Sequence, residues 1–337
     1  MNLRLLLVLI SVASYVSIGV VWFVTNPTVE QREPEPPFFY TLDPTDIRQI
    51  SLDTRGERLS WSLREDVNRW YFDDMNNIPA DLFRWGGITQ LLGGPRTQRV
   101  LSQQIEDPSQ YGLDDPTGTF MVTLRDGSSV TLLLGDLTPD GGNNYAQVEG
   151  FPQLVLVDSS WGRVLERLVT EPPLPEWHYT LVGKPREMIL FYENEVVQAY
   201  GWNREEEAWY ICTVPLETDP CTGTLKADTP AVDTELEHFG NPVIGGAVAL
   251  NLGEDEEFEP YGTLVDSPYI AVRIENKNET TGVTEVTRLT MTIGDLTEDG
   301  ESRYAVANET SDVILIDAEW ADRVLELFFG EALVEQS

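Results

Sequence analysis

After residue 40, apolar and polar side chains alternate with a period of two over much of the chain. The segments DIRQISL and RLSWSLRE predict a β-hairpin with its turn at residues 53–56, and a third short strand follows at Arg69–Phe72. The segments EMILFY, VVQAYGW and AWYI repeat this trio later in the sequence. The segment FMVTLRDGSSVTLLLG predicts another hairpin that turns at Asp126-Gly127.

Few stretches have helical periodicity. One helix is predicted from about residue 80 to 92, opened by Pro79 and closed by Gly93-Gly94, with a weaker partner near 231–239. A strand LVLVD leads into a closing helix with Asp158 and Ser159 as candidate caps. With about two helices among many strands in each half, the pattern predicts an α+β fold with mainly antiparallel sheet.

The pattern repeats within the chain. GDLTPDG at residues 135–141 recurs as GDLTEDG at 294–300, Tyr145-Ala146 recurs as Tyr304-Ala305, and LVLVDSSW recurs as VILIDAEW, all at the same offset. Three separated segments with one spacing predict two repeated units, 40–172 and 177–331, joined by EPPLP. The loop positions that mark the repeat are Gly135, Asp136, Asp140, Gly294, Asp295 and Asp299.

The N-terminal segment is apolar and uncharged. Residues 5–24, LLLVLISVASYVSIGVVWFV, are long enough to span a hydrocarbon core of about 30 Å. A cleaved signal peptide is the alternative, but its apolar region is shorter and ends in a small-x-small site. We therefore predict a transmembrane anchor at 1–26 and a Pro/Glu-rich spacer at 27–39. Arg4 favours a cytoplasmic N-terminus, which leaves the bulk of a single-pass cell-membrane protein extracytoplasmic.

The chain is strongly acidic, with 57 Asp and Glu against 22 Lys and Arg and a formal charge of −35. Such a surface opposes nucleic-acid binding, which requires basic side chains to neutralise phosphate. It would attract cations or a basic partner, but a solvated surface is the preferred interpretation of the charge.

The two cysteines are close in sequence. Cys212 and Cys221 predict a disulfide if this part of the chain faces an oxidising compartment, and two unpaired thiols are the alternative. A metal site would need more ligands nearby, and His238 is isolated in the sequence.

The GDLTxDG loops imitate the opening of an EF-hand. Asp136, Thr138 and Asp140 match the first ligand positions, but the twelfth position falls on Gln147, and in the second copy on Val306, where calcium needs a bidentate Glu. A connecting turn built by Asp and Gly is the preferred interpretation, and no metal or cofactor is predicted.

The sequence contains no recognisable catalytic motif. Its two histidines, His178 and His238, have no counterpart in the other unit, and no GxSxG is present. Acidic pairs for glycoside hydrolysis carry no information in so acidic a chain. Trp161 and Trp320, at equivalent positions, are interpreted as core anchors rather than a binding platform. We predict that the protein is not an enzyme.

The order of motifs in the first unit resembles a family catalogued as domain of unknown function 4340. The resemblance rests on Trp70, Pro79-Ala80-Asp81, YGLDDP at 111–116, Gly135 and Tyr145. The second unit keeps part of this order and resembles a degenerate second copy. The resemblance implies a bacterial, membrane-anchored extracytoplasmic protein, similar to auxiliary parts of ABC-type export or gliding-motility systems. It implies no activity.

These observations leave two main hypotheses for function. The first is a non-enzymatic scaffold or accessory subunit that holds a protein partner in a membrane complex. The second is a ligand- or cation-binding module that uses the acidic face or the cleft between units. A hydrolase is a distant third.

Overall fold

The structure is a computed structural model that describes residues 39–335 except 217, 219, 279 and 280. It has an α+β fold, as the alternating pattern predicts, and all its sheet pairings are antiparallel. The predicted anchor 1–26 and almost all of the predicted spacer lie outside these residues. Among the described residues, no helix combines the length and apolar character that crossing a membrane requires.

The first unit contains one sheet of eight strands. They are β1 (Ile47–Thr54), β2 (Glu57–Arg64), β3 (Arg69–Phe72), β4 (Arg99–Ser102), β5 (Gly118–Leu124), β6 (Ser129–Leu137), β7 (Asn143–Val148) and β8 (Leu154–Asp158). Their spatial order is β3-β2-β1-β5-β6-β7-β8-β4.

The second unit contains one sheet of nine strands. They are β9 (Lys184–Tyr192), β10 (Glu195–Asn203), β11 (Ala208–Ile211), β12 (Leu225–Lys226), β13 (Ile244–Ala249), β14 (Tyr269–Lys277), β15 (Thr284–Leu296), β16 (Ser302–Ala307) and β17 (Val313–Asp317). Their order is β12-β11-β10-β9-β14-β15-β16-β17-β13. Apart from β12 at the edge, this order matches the first sheet strand for strand.

Strand register agrees between the sheets as well. In the first, β4 places Val100 opposite Val155 and Ser102 opposite Leu154. In the second, β13 places Ala247 opposite Ile314 and Ala249 opposite Val313. The partners in β8 and β17 differ by the 159-residue offset of the sequence repeat, so Val100 corresponds to Ala247.

The helices are α1 (Leu82–Trp85), α2 (Ile88–Gly93), α3 (Ser159–Thr170), α4 (Thr229–Phe239) and α5 (Ala318–Phe329). The prediction of one continuous helix over 80–92 is wrong, because the chain breaks into α1 and α2 at Gly86-Gly87. Gly87 has φ of +82° and leaves the helical conformation, at the low backbone cost that glycine allows. The corresponding helix of the second unit, α4, contains no glycine and is continuous.

The two units share a buried core. Apolar side chains from Ile47 in the first unit to Phe328 in the second form one contiguous cluster. Trp177 of the linker is fully buried, and its indole N–H donates to Asp312 at 2.9 Å. The Ala247 N–H donates to the Asn77 carbonyl at 3.2 Å, and the Asn77 side-chain amide donates back to the Ala247 carbonyl. The edge strand β13 is thus bonded directly to a loop of the first unit.

Candidate functional site

The first GDLT loop connects β6 to β7 and is closed by its own side chains. The Thr138 hydroxyl donates to the Asp140 carboxylate at 2.6 Å, and the Gly142 N–H donates to the same carboxylate at 3.1 Å. The Thr138 N–H donates to the Asn143 carbonyl at 2.8 Å. Hydrogen bonds from Thr138 and Gly142 hold the pKa of Asp140 below its ordinary value.

The second loop, between β15 and β16, repeats these contacts. The Thr297 hydroxyl donates to Asp299 at 2.6 Å, and the Glu301 N–H donates to the same carboxylate at 3.0 Å. The pKa of Asp299 is lowered for the same reason as that of Asp140. Both carboxylates are therefore occupied in fixing a turn.

The carboxylates of Asp136 and Asp295 pack against the Tyr-Gly segment that precedes each loop in the sequence. Gly112 approaches the Asp136 carboxylate so closely that a Cβ on it would lie 2.7 Å from Asp136 Cγ. Gly262 stands in the same relation to Asp295, at 2.5 Å. Within the described ranges of the chain, no group of three or more His, Cys, Asp or Glu side chains could hold a metal ion.

The disulfide prediction is confirmed. Cys212 and Cys221 are bonded, with their sulfur atoms 2.04 Å apart, and both are buried with Ala199 in a small cluster separate from the main core. The Cys221 N–H donates to Glu187 at 2.6 Å. A Cβ on Gly201 would lie 2.2 Å from the Cys221 carbonyl oxygen, so this loop needs a glycine beneath it.

The histidines and the paired tryptophans lie in structural positions. His238 stacks on Trp320 with ring centroids 5.2 Å apart, and the Trp320 indole donates to the His238 carbonyl at 3.0 Å. The Trp161 indole donates to the Leu91 carbonyl at 3.4 Å. Burial lowers the pKa of His178, which lies beside Trp177. Both tryptophans are buried between the closing helix of their unit and the helix that precedes it.

A cavity of about 280 Å³ lies beside the first GDLT loop and was not predicted from the sequence. The end of β1, the start of β5, the GDLT loop and the first turns of α3 enclose it. Its lining includes Thr54, Asn144 and Ser159, three of the nine buried polar or charged residues described in the chain. Phe120 and Leu134 supply apolar surface.

Charged groups of both signs surround this cavity. Arg55 and Glu166 form an ion pair at 3.3 Å, and Asp136 and Arg163 complete the charged part of the lining. Two carboxylates therefore face two guanidinium groups, and the lining has no net charge.

The second unit has a larger, charged side chain at one of these lining positions. Asn144 corresponds to Arg303, which donates to the Gly294 carbonyl at 3.4 Å and to Asp322 at 2.7 Å. Asp322 corresponds to Arg163. The Arg303 guanidinium therefore donates to the Gly294 carbonyl, as the Asn144 amide donates to the Gly135 carbonyl in the first unit.

Comparison with known proteins finds a family match within the first unit. Residues 70–171 match the family model Domain of unknown function (DUF4340), which supports the resemblance noted from the motifs. The match begins in β3 and ends just after α3, so it includes the first GDLT loop. No curated protein and no solved structure matches the chain.

Proposed function

We propose that this protein is a membrane-anchored, extracytoplasmic scaffold or accessory subunit of a membrane protein complex, without enzymatic activity. In this proposal residues 1–26 form the anchor, the N-terminus is cytoplasmic and both units are extracytoplasmic. The second unit is a diverged second copy of the DUF4340 domain. The resemblance to auxiliary components makes an ABC-type export or gliding-motility complex the proposed setting.

The observation that carries this proposal is the shared core of the two units. A body in which Trp177 and the Asn77–Ala247 contact fix one unit against the other can hold two partner surfaces at a defined separation. The equal strand order of the two sheets and the matching hydrogen bonds of their GDLT loops support the duplication. A folded body fixed to a membrane by one helix is typical of accessory subunits.

Charge indicates which unit attracts a basic partner. Residues 40–172 contain 11 basic and 20 acidic residues, whereas 177–331 contain 9 and 32. The second unit should therefore attract a positively charged partner surface more strongly than the first unit does. Binding of such a partner should weaken as added salt screens the charges.

The test is purification of the full chain from native membranes in mild detergent. We expect a stoichiometric membrane-protein partner, partly released when ionic strength is raised. A variant lacking residues 1–26 is the control, and we expect it to be soluble, folded and monomeric. Recovery of the full chain alone, with no partner under any detergent or salt condition, would count against a scaffold.

A calcium titration addresses the cation-binding alternative in the same preparations. If the protein is a scaffold whose Asp140 and Asp299 carboxylates are already hydrogen-bonded within their turns, calcium should not change its melting temperature. A saturable rise in melting temperature would favour the cation-binding module instead.

A further inference from the structure

We infer that the cavity beside the first GDLT loop is a binding site for a small, neutral, polyhydroxylated ligand, about the size of one sugar ring. This site is independent of the scaffold proposal and does not require a protein partner. It rests on the composition of the lining, on the state of its hydroxyl groups and on a comparison of the two units.

Size limits the ligand. A volume of about 280 Å³ lies just under the range of roughly 300–1,000 Å³ that is usual for small-molecule sites. One ring with its substituents fits this space, and a longer ligand would have to extend into solvent.

The polar lining suits hydroxyl groups. The Asn144 side-chain amide donates to the Gly135 carbonyl at 3.2 Å, which leaves its oxygen available as an acceptor. The Thr117 hydroxyl donates to the Leu134 carbonyl at 3.0 Å and can still accept. Thr54 and Ser159 are nearly buried as residues and line the cavity, and their hydroxyls make no hydrogen bond to any residue that the structure describes. A ligand hydroxyl can both donate to and accept from such groups.

Charge selects a neutral ligand. Arg55 and Arg163 are balanced by Glu166 and Asp136 around the cavity. A free anion would be attracted by the two arginines and repelled by the two carboxylates, and a free cation would experience the reverse. A hydroxyl group, in contrast, can form hydrogen bonds with both kinds of charged group. The apolar surface of Phe120 and Leu134 offers contact to the C–H face of a ring.

The second unit has different side chains at the corresponding positions. There, Asn144, Ser159 and Gly162 are replaced by Arg303, Ala318 and Ala321, so the amide, a hydroxyl and free space are lost together. A Cβ on Gly162 would lie 2.8 Å from a Leu134 methyl and 3.2 Å from the Asn144 side-chain oxygen. The second unit folds with these different side chains at the same positions, so Asn144, Ser159 and Gly162 are not requirements of the fold.

The experiment is saturation-transfer NMR on the full chain in detergent. The probes are D-glucose, D-galactose and N-acetyl-D-glucosamine, and D-glucuronate serves as a charged analogue. We expect saturable transfer from at least one neutral sugar and none from glucuronate. No saturable transfer from any of the three, or stronger binding of glucuronate, would overturn the inference.

Variants that copy the second unit locate the site. The double variant N144R/R163D introduces the arginine and the aspartate of the second unit, and it should reduce sugar affinity at least tenfold. Ser159→Ala removes one hydroxyl without filling space and should reduce affinity severalfold, which keeps the test decisive if the double variant does not fold. The control Arg303→Asn alters only the second unit and should leave sugar affinity unchanged. Undiminished binding in folded N144R/R163D would place any sugar site elsewhere and refute the assignment.

Discussion

Gly135 and Gly294 show at the scale of one residue why the GDLT motif begins with glycine. A Cβ on Gly135 would lie 2.1 Å from the Tyr111 carbonyl oxygen, and one on Gly294 would lie 2.2 Å from that of Tyr261. Both obstacles are backbone atoms, which cannot rotate away. The glycine therefore allows the Tyr-Gly segment to pack against the start of the loop, where the rings of Tyr111 and Tyr145 meet at 5.0 Å.

Gly135→Ala should consequently be strongly destabilising. Forcing a methyl group into backbone contact costs about 1–3 kcal/mol of unfolding free energy by the usual scale of overpacking. Gly142→Ala, in the same loop, is the matched control, since its Cβ would meet only ordinary contacts at 3.6 Å and beyond. Thermal melting of the full chain in detergent measures both. Equal melting temperatures for the two variants would refute the packing explanation.

The turn aspartates give a second residue-scale prediction. The pKa of Asp299 is lowered first by the Thr297 hydroxyl, then by the Glu301 N–H. Thr297→Val should therefore raise the pKa of Asp299 toward its ordinary value, which a carboxyl-carbon NMR titration measures. An unchanged pKa would mean that the hydroxyl does not stabilise the carboxylate.

The same shift has a defined sign for stability. A carboxyl whose folded-state pKa is depressed stabilises the fold above its unfolded pKa, and this contribution is lost as pH falls through the folded value. Asp43, Asp107, Asp126, Asp140, Asp158 and Asp299 share this arrangement with a neighbouring Ser or Thr. We expect the melting temperature to fall below about pH 4, and to fall less steeply when Asp140 and Asp299 are both changed to Asn.

At the scale of elements, the sequence predicts strands where apolar and polar side chains alternate. It does not predict strands that contain glycine or that are exposed at a sheet edge. The predicted third strands of both units agree with β3 and β11, because each lies between clear turn residues. The edge strands β4 and β13 were missed. β4 is exposed along most of its length, and β13 contains Gly245-Gly246, so neither has the apolar alternation of a buried strand.

The closing helices provide a comparison within one molecule. Trp161 and Trp320 each bond through the indole N–H to the helix before them, but the distance is 3.4 Å in the first unit and 3.0 Å in the second. Trp→Phe keeps most of the apolar contact and removes the donor.

Trp320→Phe should therefore cost more than Trp161→Phe. A good neutral hydrogen bond contributes about 0.5–1.5 kcal/mol, and leaving its buried acceptor unpaired adds to this. The Trp320 variant also loses part of its stacking with His238. Chemical denaturation of the two variants measures the difference. A larger loss for Trp161→Phe would show that ring packing, rather than the N–H donor, dominates at both positions.

At the scale of the whole molecule, the similar strand orders of the two sheets could be anticipated because similar segments follow one another in the same order along the sequence. The cavity could not. Thr54, Asn144 and Ser159 are distant in sequence and come together only when β1, β7 and α3 meet around the GDLT loop. Each is an ordinary polar residue in its own segment. The similar segments of the sequence align Asn144 with Arg303, but only the fold shows that Asn144 lines a cavity.

The contact between the units depends on one glycine of the edge strand. Gly246 has φ of +111°, and a Cβ there would lie 2.7 Å from the Asn76 carbonyl oxygen. The corresponding residue of the first sheet is Arg99, in the largely exposed edge strand β4. The absence of a side chain at residue 246 allows the loop of the first unit to reach the backbone of Ala247.

Gly246→Ala should loosen the units without unfolding either. The new methyl group opposes both the backbone conformation and the loop, so the Asn77–Ala247 hydrogen bonds should lengthen or break. We expect two separable melting transitions in place of one, and a larger radius of gyration by small-angle scattering on the form lacking residues 1–26, once that form is shown to be folded.

Gly253→Ala is the control, because its Cβ would meet nothing closer than 3.9 Å. Asn77→Ala removes the hydrogen bond from the Asn77 side-chain amide to the Ala247 carbonyl, and it should loosen the contact between the units to a smaller extent. A single unchanged transition in Gly246→Ala would mean that Trp177 and the shared core alone hold the units together, and that the edge-strand contact contributes little to the rigidity of the body.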